Sequence, residues 1–263
     1  MVSRRSVLKA LVVLGGLTAL GYVYPRYIET NILTVTKLNL DLGLGIRAVH
    51  ISDTHFASSA YNPDSVVNLI KDLKPDVIFH TGDLITYLNG LETGLDFISK
   101  LSEIADVFIV AGNHDHWSGL GSDGLKNRFE RIGNVYVLNN EAMEYHGLWV
   151  IGVDDPYTYQ DDLSKALKHV SNNGRRILLA HSPQIIDKAV NRVDLILSGH
   201  THGGQIRIPF MDPIWLPLPS KYRKYDYGLF EVEDTLMFVS RGIGTTFLPI
   251  RFNCPPEVVS INL

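Results

Sequence analysis

The chain reads as an α/β protein in which two mixed β-sheets pack face to face and helices cover the outside. Three features lead there. From Ile46 onward, short apolar runs rich in Val, Ile and Leu recur, and each stops at small or polar residues. Helix-period stretches separate the first three runs, which implies parallel pairing. Shorter strand-like runs crowd the second half, where antiparallel neighbours become possible.

The N-terminus differs from the rest. "MVSRRSVLK" carries Arg4, Arg5 and Lys9 and no acid, and an uncharged run, Ala10 to Tyr24, follows. A basic start before an apolar stretch is the layout of an export signal. Arg4-Arg5, followed by Ser6, Val7, Leu8 and Lys9, resembles a twin-arginine signal. The run is short against the roughly 20 residues of a full span. Residues 1–30 are therefore read as a membrane anchor or a cleavable signal. The anchor is favoured, with Tyr22 and Tyr24 at the far interface and Pro25 onward outside the cytoplasm. Residues 31–45 read as a linker and lead-in, and 46–263 as one large domain.

Within that domain, "IRAVHISDTH", "PDVIFHTGD", "ADVFIVAGNHDH", "RRILLAHSP" and "VDLILSGHTH" each open on an apolar run without alternation, the pattern of a buried strand. Asn62 to Pro75 places Val66, Leu69, Ile70 and Leu73 at helical spacing, and Pro75 stops the helix. Leu91 to Ile104 is a second helix with Leu95, Ile98 and Leu101 on one side. "NVYVL", "LWVIGV", "LFEVE", "LMFVS" and "EVVSI" complete the sheets.

Chemistry-bearing residues fall where the buried strands end: Asp53, His55, Asp83, Asn113, His114, His181, His200 and His202. In open sheets of this kind, ligands bind beyond the carboxyl ends of the strands. His200 and His202 stand two apart, so on an extended segment both rings point the same way. Gly199, Gly203 and Gly204 let the backbone pass close by. Carboxylates, imidazoles and one amide oxygen suit manganese, iron or zinc better than magnesium or calcium. These ligands are too many for one ion. They divide over two divalent ions with one carboxylate shared, a pair that clamps phosphate and activates water. Net charge of −4 argues against a nucleic-acid partner. The lone Cys254 rules out an internal disulfide and a multi-thiolate zinc site.

The pieces "DTH", "GDL", "GNHD", "AHSP" and "GHTH", in this order, resemble the signature of calcineurin-like metallophosphoesterases, and the likeness runs from Ile46 to Leu263. "GHTHGGQI" and "SRGIGTTFLPIRFNCPPEV" resemble one branch, the membrane-anchored or exported bacterial and archaeal phosphodiesterases similar to UDP-2,3-diacylglucosamine hydrolases. The resemblance implies that 46–263 is a catalytic domain with a dinuclear metal site at the strand ends. It implies Asp53, His55 and His202 on one metal, Asn113, His181 and His200 on the other, and Asp83 bridging. His114 would be no ligand but would protonate the leaving oxygen, with Asp115 placed to orient it.

Two divalent ions less Asp53, Asp83 and a hydroxide leave a single positive charge, which matches a phosphodiester better than a monoester. A lipid-like or cell-envelope diester is the expected substrate. The rivals are a UDP-linked lipid pyrophosphate, a phosphomonoester such as a phosphoprotein, and a non-catalytic scaffold. A complete ligand set speaks against the scaffold.

Other residues have plainer readings. His50 and His80 sit inside strands as structural histidines, and His116 lies in a turn. His146 and His169 read as surface residues, and Asp154-Asp155 as turn caps before Pro156. The irregular stretch Ile208 to Gly228 suggests an apolar lip of Phe210, Met211, Trp215 and Leu216, with Lys221, Arg223 and Lys224 reading phosphate.

Overall fold

The computed structural model describes residues 3–59, 61–171 and 173–263. A projecting N-terminal helix leads into a four-layer body. Its first segment, α1, is Arg4–Thr18; the winding widens over Ala19–Ile28, which includes Pro25, and tightens over Glu29–Asn31. A proline removes a helical hydrogen bond and crowds the preceding turn, which accounts for the change of winding. The helix Arg4–Asn31 is long and apolar enough to cross a membrane, and its apolar window is wholly unburied.

The strands are β1 Thr34–Asn39, β2 Arg47–Ile51, β3 Val77–Thr81, β4 Asp106–Val110, β5 Val135–Val137, β6 Glu141–Tyr145, β7 Leu148–Gly152, β8 Arg175–Leu179, β9 Leu195–Ser198, β10 Gly228–Val232, β11 Thr235–Val239 and β12 Glu257–Asn262. The helices after α1 are α2 Pro63–Leu73, α3 Leu91–Ser102, α4 Asn113–Trp117, α5 Gly121–Phe129, α6 Leu163–Ala166 and α7 Ile186–Ala189. One sheet runs β1-β12-β2-β3-β4-β5 and the other β10-β11-β9-β8-β7-β6. Both are mixed: β12 is antiparallel to β2, β10 to β11 and β6 to β7, while the central strands are parallel.

Coverage on both faces explains the unbroken apolar runs of the central strands. Val77 and Phe79 of β3 and Phe108 of β4 face inward against Ile177, Leu179, Leu195 and Leu197 of the other sheet. Their alternate neighbours Ile78, Val107 and Ile109 face outward onto Val66 and Ile70 of α2, Phe97 and Leu101 of α3, and Leu125 and Phe129 of α5. Leu178, Ile196 and Met237 pack outward against Leu163, Ile185 and Ala189. Asn62 caps α2, its side chain accepting from the Asp64 N–H at 3.0 Å, and Pro63 stands at the first helical position.

The sequence reading needs one correction here. Residues 31–45 are more than a lead-in: Thr34–Asn39 forms β1 and pairs parallel with the last strand, Thr34 opposite Glu257 and Asn39 opposite Asn262.

Candidate metal centre

Five central strands deliver their polar residues to one edge. Asp53 and His55 follow β2, Asp83 follows β3, Asn113 and His114 open α4 after β4, His181 follows β8, and His200 and His202 follow β9. The chain turns sharply at most of these points. Asp53, His55, Asp83, His200 and His202 have φ of 55°, 49°, 54°, 70° and 51°. A left-handed conformation costs an L-residue about 1–2 kcal/mol, and such strain clusters where function holds it in place. It also corrects the extended reading of His200 and His202. The turn between them sends the two rings to different neighbours.

His202 Nε2 lies 3.1 Å from His55 Nε2 and 3.4 Å from Asp53 Oδ1. His200 Nδ1 lies 3.1 Å from His181 Nε2, which is 3.0 Å from Asn113 Oδ1. Asp83 stands between these groups, with Oδ2 3.4 Å from His55 Nε2 and 3.3 Å from His181 Nε2. Its Oδ1 accepts from the His114 N–H at 2.8 Å. Asp53 accepts from the His200 N–H at 3.0 Å. Two glycines make room for the carboxylates. A Cβ on Gly112 would stand 2.3 Å from Asp83 Oδ1, and one on Gly199 would stand 2.2 Å from Asp53 Oδ2.

The outer ring nitrogens show that this donor set fits cations. His181 Nδ1 donates to the Thr81 carbonyl at 2.8 Å, and His200 Nε2 donates to the Pro217 carbonyl at 2.8 Å. A carbonyl only accepts, so the proton of each neutral ring sits there and the inner nitrogen presents a lone pair. His55 Nδ1 pairs with Thr86 Oγ1 at 2.9 Å. Inner lone pairs about 3 Å from one another repel unless a cation lies among them. Burial reinforces this. It pushes His55 and His200 down to about 3 and His202 well below its usual value, so these rings are neutral.

His181 is the exception: burial opposes its charge, but the carboxylates of Asp83, Asp53 and Asp155 together raise the imidazole well above its usual value. Asp83 is correspondingly held well below the carboxylate range by His181 and His55, against the pull of burial. Groups such as Asp53, His55 and His202, or Asp53, Asp83 and His181, bring their ligand atoms close enough to hold a metal ion.

The opening over this cluster is a narrow cavity of about 40 Å³, walled by Trp117, Tyr157, Trp215, Thr246 and Phe247. A wider cleft of about 690 Å³ lies at the opposite strand ends, beside Arg175, Arg192 and Asp194. There Arg175 and Asp194 pair at 2.9 Å, and among the described residues no histidine lines the cleft.

Three expectations change. Asp115 does not orient His114; its carboxylate accepts from the N–H groups of Leu84, Ile85 and Gly112 at 3.3, 3.1 and 2.9 Å. It ties the β3 and β4 loops together, and burial raises its pKa to about 7. The His114 ring instead meets Thr246, with Nε2 3.4 Å from Oγ1, and stacks edge-on against His55 and Trp117. Lys221, Arg223 and Lys224 are absent from the cavity wall: Lys221 pairs with Asp187, Arg223 points to the Pro213 carbonyl and Lys224 lies over the Tyr225 ring. Of the expected lip, Leu216 is buried, while Phe210, Met211 and Trp215 are exposed.

Other readings fit the structure. His50 and His80 are buried inside strands against Thr81 and Thr54. Asp155 caps its turn by accepting from the Tyr157 and Thr158 N–H groups. His116 is held by Asp154 at 2.7 Å. Sequence reasoning missed Thr246, Thr86, Tyr157 tilted against His200, and the buried Arg251 beside His202. Thr246 and Arg251 lie in the stretch "SRGIGTTFLPIRFNCPPEV", which gave them no role, and Thr86 and Tyr157 carry no motif.

Comparison with known proteins fits this geometry. An uncharacterized metallophosphoesterase of Bacillus subtilis, YkuE, is 32% identical over 99% of this chain and 97% of its own length. The phosphodiesterase YaeI of Escherichia coli is 29% identical over the full length of both. The solved structure of TT1561 of Thermus thermophilus shares the fold, with TM-score 0.50 and 15% identity over 75% of this chain and 90% of that one. The family model described as calcineurin-like phosphoesterase matches residues 46–204. Since that match takes in every strand end from Asp53 to His202, the chain belongs to the calcineurin-like metallophosphoesterases.

Proposed function

We propose that the protein is a dinuclear phosphodiesterase held outside the cytoplasm by its N-terminal helix, acting on a lipid-like or cell-envelope phosphodiester. The position of Asp83 between His55 and His181 carries this reading. One carboxylate oxygen faces two histidines that belong to separate donor groups. Asp53, His55 and His202 would hold one ion, Asn113, His181 and His200 the other, and Asp83 would serve both; the donor types suit manganese, iron or zinc. When bound, such a pair clamps a phosphate and supplies hydroxide at neutral pH.

His114 is the proton donor to the leaving oxygen. It stands at the cavity wall beside His55 and Asp83, close enough to share a metal-holding group with them, with its backbone fixed on Asp83 and its ring against Thr246. Burial lowers its pKa, and the negative charge of an arriving phosphate raises it again, so the ring becomes an acid when substrate is present. The aromatic walls exclude water and favour a substrate with an apolar portion. YaeI is named a phosphodiesterase, and a Danio rerio relative, 27% identical, is named a transmembrane protein with a metallophosphoesterase domain.

The test uses the full chain in detergent, stripped of metal and reloaded with manganese. Bis(p-nitrophenyl) phosphate and p-nitrophenyl phosphate are compared, with His114→Ala as control. Manganese-dependent diester cleavage lost in the control is the expected result. Preference for the monoester would shift the assignment to a phosphatase, and metal binding without turnover of either would overturn the catalytic reading.

A further inference from the structure

The base of the N-terminal helix and the mouth of the metal centre are built on the same two loops. Pro25, Glu29 and Thr30 are buried against the domain. The Arg251 N–H donates to the Pro25 carbonyl at 3.0 Å, and the Cys254 N–H donates to Glu29 Oε1 at 2.6 Å. Tyr24 lines a crevice with Pro209, Phe252 and Pro255. Tyrosines at the end of a spanning helix mark headgroup depth, so Pro209 and Phe252 stand at that depth too. Phe210 follows Pro209 directly, and Leu248 lies three residues before Arg251, within about 11 Å along the chain.

Those loops expose Phe210, Met211, Ile214, Trp215, Phe247 and Leu248 to solvent. Ile214, Trp215, Phe247 and Leu248 line one groove, with Phe210 and Met211 on the same loop as Ile214 and Trp215, and an exposed apolar patch of this kind marks a protein or membrane contact. Phe210 and Phe247 hold left-handed backbones, with φ of 67° and 55°, although Phe247 keeps 76% of its surface exposed. Strained backbone that aims a large aromatic ring outward gains nothing from packing inside the domain. Trp215 and Phe247 touch edge-on with centroids 5.3 Å apart, and both also wall the metal cavity. An apolar groove of about 350 Å³ between Ile206, Ile214 and Leu248 continues from them. Asp212 is the one charged residue between Ile208 and Trp215.

We propose that this rim dips into the bilayer, so that the metal centre opens onto the lipid surface and not into bulk solvent. The proposal rests on the reading of the N-terminal helix as an anchor. The helix sets the height of the domain, and the rim sets its tilt. Aromatic and aliphatic side chains at that depth behave as an interfacial anchor of their own, and a lipid phosphodiester would reach the metals without leaving the membrane.

Position, and not activity, is the readout that tests this. The full chain carries only the buried Cys254, so single labels can be placed at Phe210→Cys, Leu248→Cys and, as control, Asp234→Cys in the β10–β11 turn at the opposite edge. Each is labelled with an environment-sensitive fluorophore and reconstituted in nanodiscs of phosphatidylcholine and phosphatidylglycerol, with and without brominated acyl chains. Labels at 210 and 248 are expected to shift to the blue and be quenched severalfold by the brominated lipid, while the label at 234 does neither. Labels at 210 and 248 as wet as that at 234 would overturn the rim and leave the anchor standing. Failure of the chain to enter nanodiscs would overturn both. Neither result bears on diester hydrolysis, whose failure shows separately in the detergent assay.

Discussion

His114 faces the ligand cluster on one side and Thr246 on the other, 3.4 Å away. His114→Ala is expected to lower kcat by roughly 10²–10⁴ while metal analysis finds both ions in place. Thr246→Val, which removes only the partner that positions the ring, is expected to lower kcat about tenfold and move the pH profile. Gly199 makes a separate demand: Gly199→Ala would drive a methyl into Asp53 and Ser52, and metal content should fall at a cost of about 1–3 kcal/mol in stability. The His116–Asp154 pair gives a pH test away from the metals. Asp154 raises His116 above 6.5, so that contribution is present below 6.5 and is lost as pH rises through the folded value. Burial opposes but His116 lowers Asp154 below 3.8, so that contribution is lost as pH falls through its folded value. His116→Gln should therefore cost most between about pH 4 and 6.5, about 1 kcal/mol for a largely buried pair, and little at pH 9 in urea titrations. The gathering of Asp53, His55, Asp83, Asn113, His114, His181, His200 and His202 was legible because each sits just beyond a buried strand. The partners of Asp115 and His114 were not, because both side chains stand on the short helix α4 and meet groups brought from other loops, the Leu84 and Ile85 N–H groups and Thr246, which no sequence period encodes.

At the scale of elements, the loop from Gly242 to Cys254 joins the metal centre to the helix base. Its conformation is held by Arg251, whose fully buried guanidinium donates to the carbonyls of Arg241, Gly242, Gly244 and Cys254. Arg251→Met would leave those carbonyls without partners and is expected to cost about 3–5 kcal/mol in chemical denaturation. Arg251→Lys should rescue it only in part, since an ammonium cannot reproduce the planar fork. The central strands and α2 and α3 were plain in the sequence because burial on both faces, or on one helical stripe, leaves a strong apolar pattern. The edge strands were weaker: β1 "TVTKLN" and β6 "EAMEY" bury little, and α5 "GSDGLKNRF" opens with two glycines in four residues. Their places were set by neighbours and not by their own composition.

Across the whole molecule, the metal centre is also a clasp between the two sheets, since Asp53, Asp83 and Asn113 come from one sheet and His181, His200 and His202 from the other. Chelation should therefore loosen the body as well as abolish turnover. At metal concentrations about 100 times the dissociation constant, binding adds about 2.7 kcal/mol, and Tm should rise by roughly 5–10 °C over the stripped protein in a thermal melt. The order of the first sheet has a different consequence. The last strand, β12, lies between β1 and β2, with Thr34 paired to Glu257. A ribosome making about 5–20 residues per second needs tens of seconds to reach that strand. Until then β1 has no neighbour, the slot beside β2 is open, and an unpaired strand edge can recruit other chains. The first sheet thus closes only after Glu257–Asn262 has been made, and removal of that strand should leave a sticky, half-built protein and not a shortened active one.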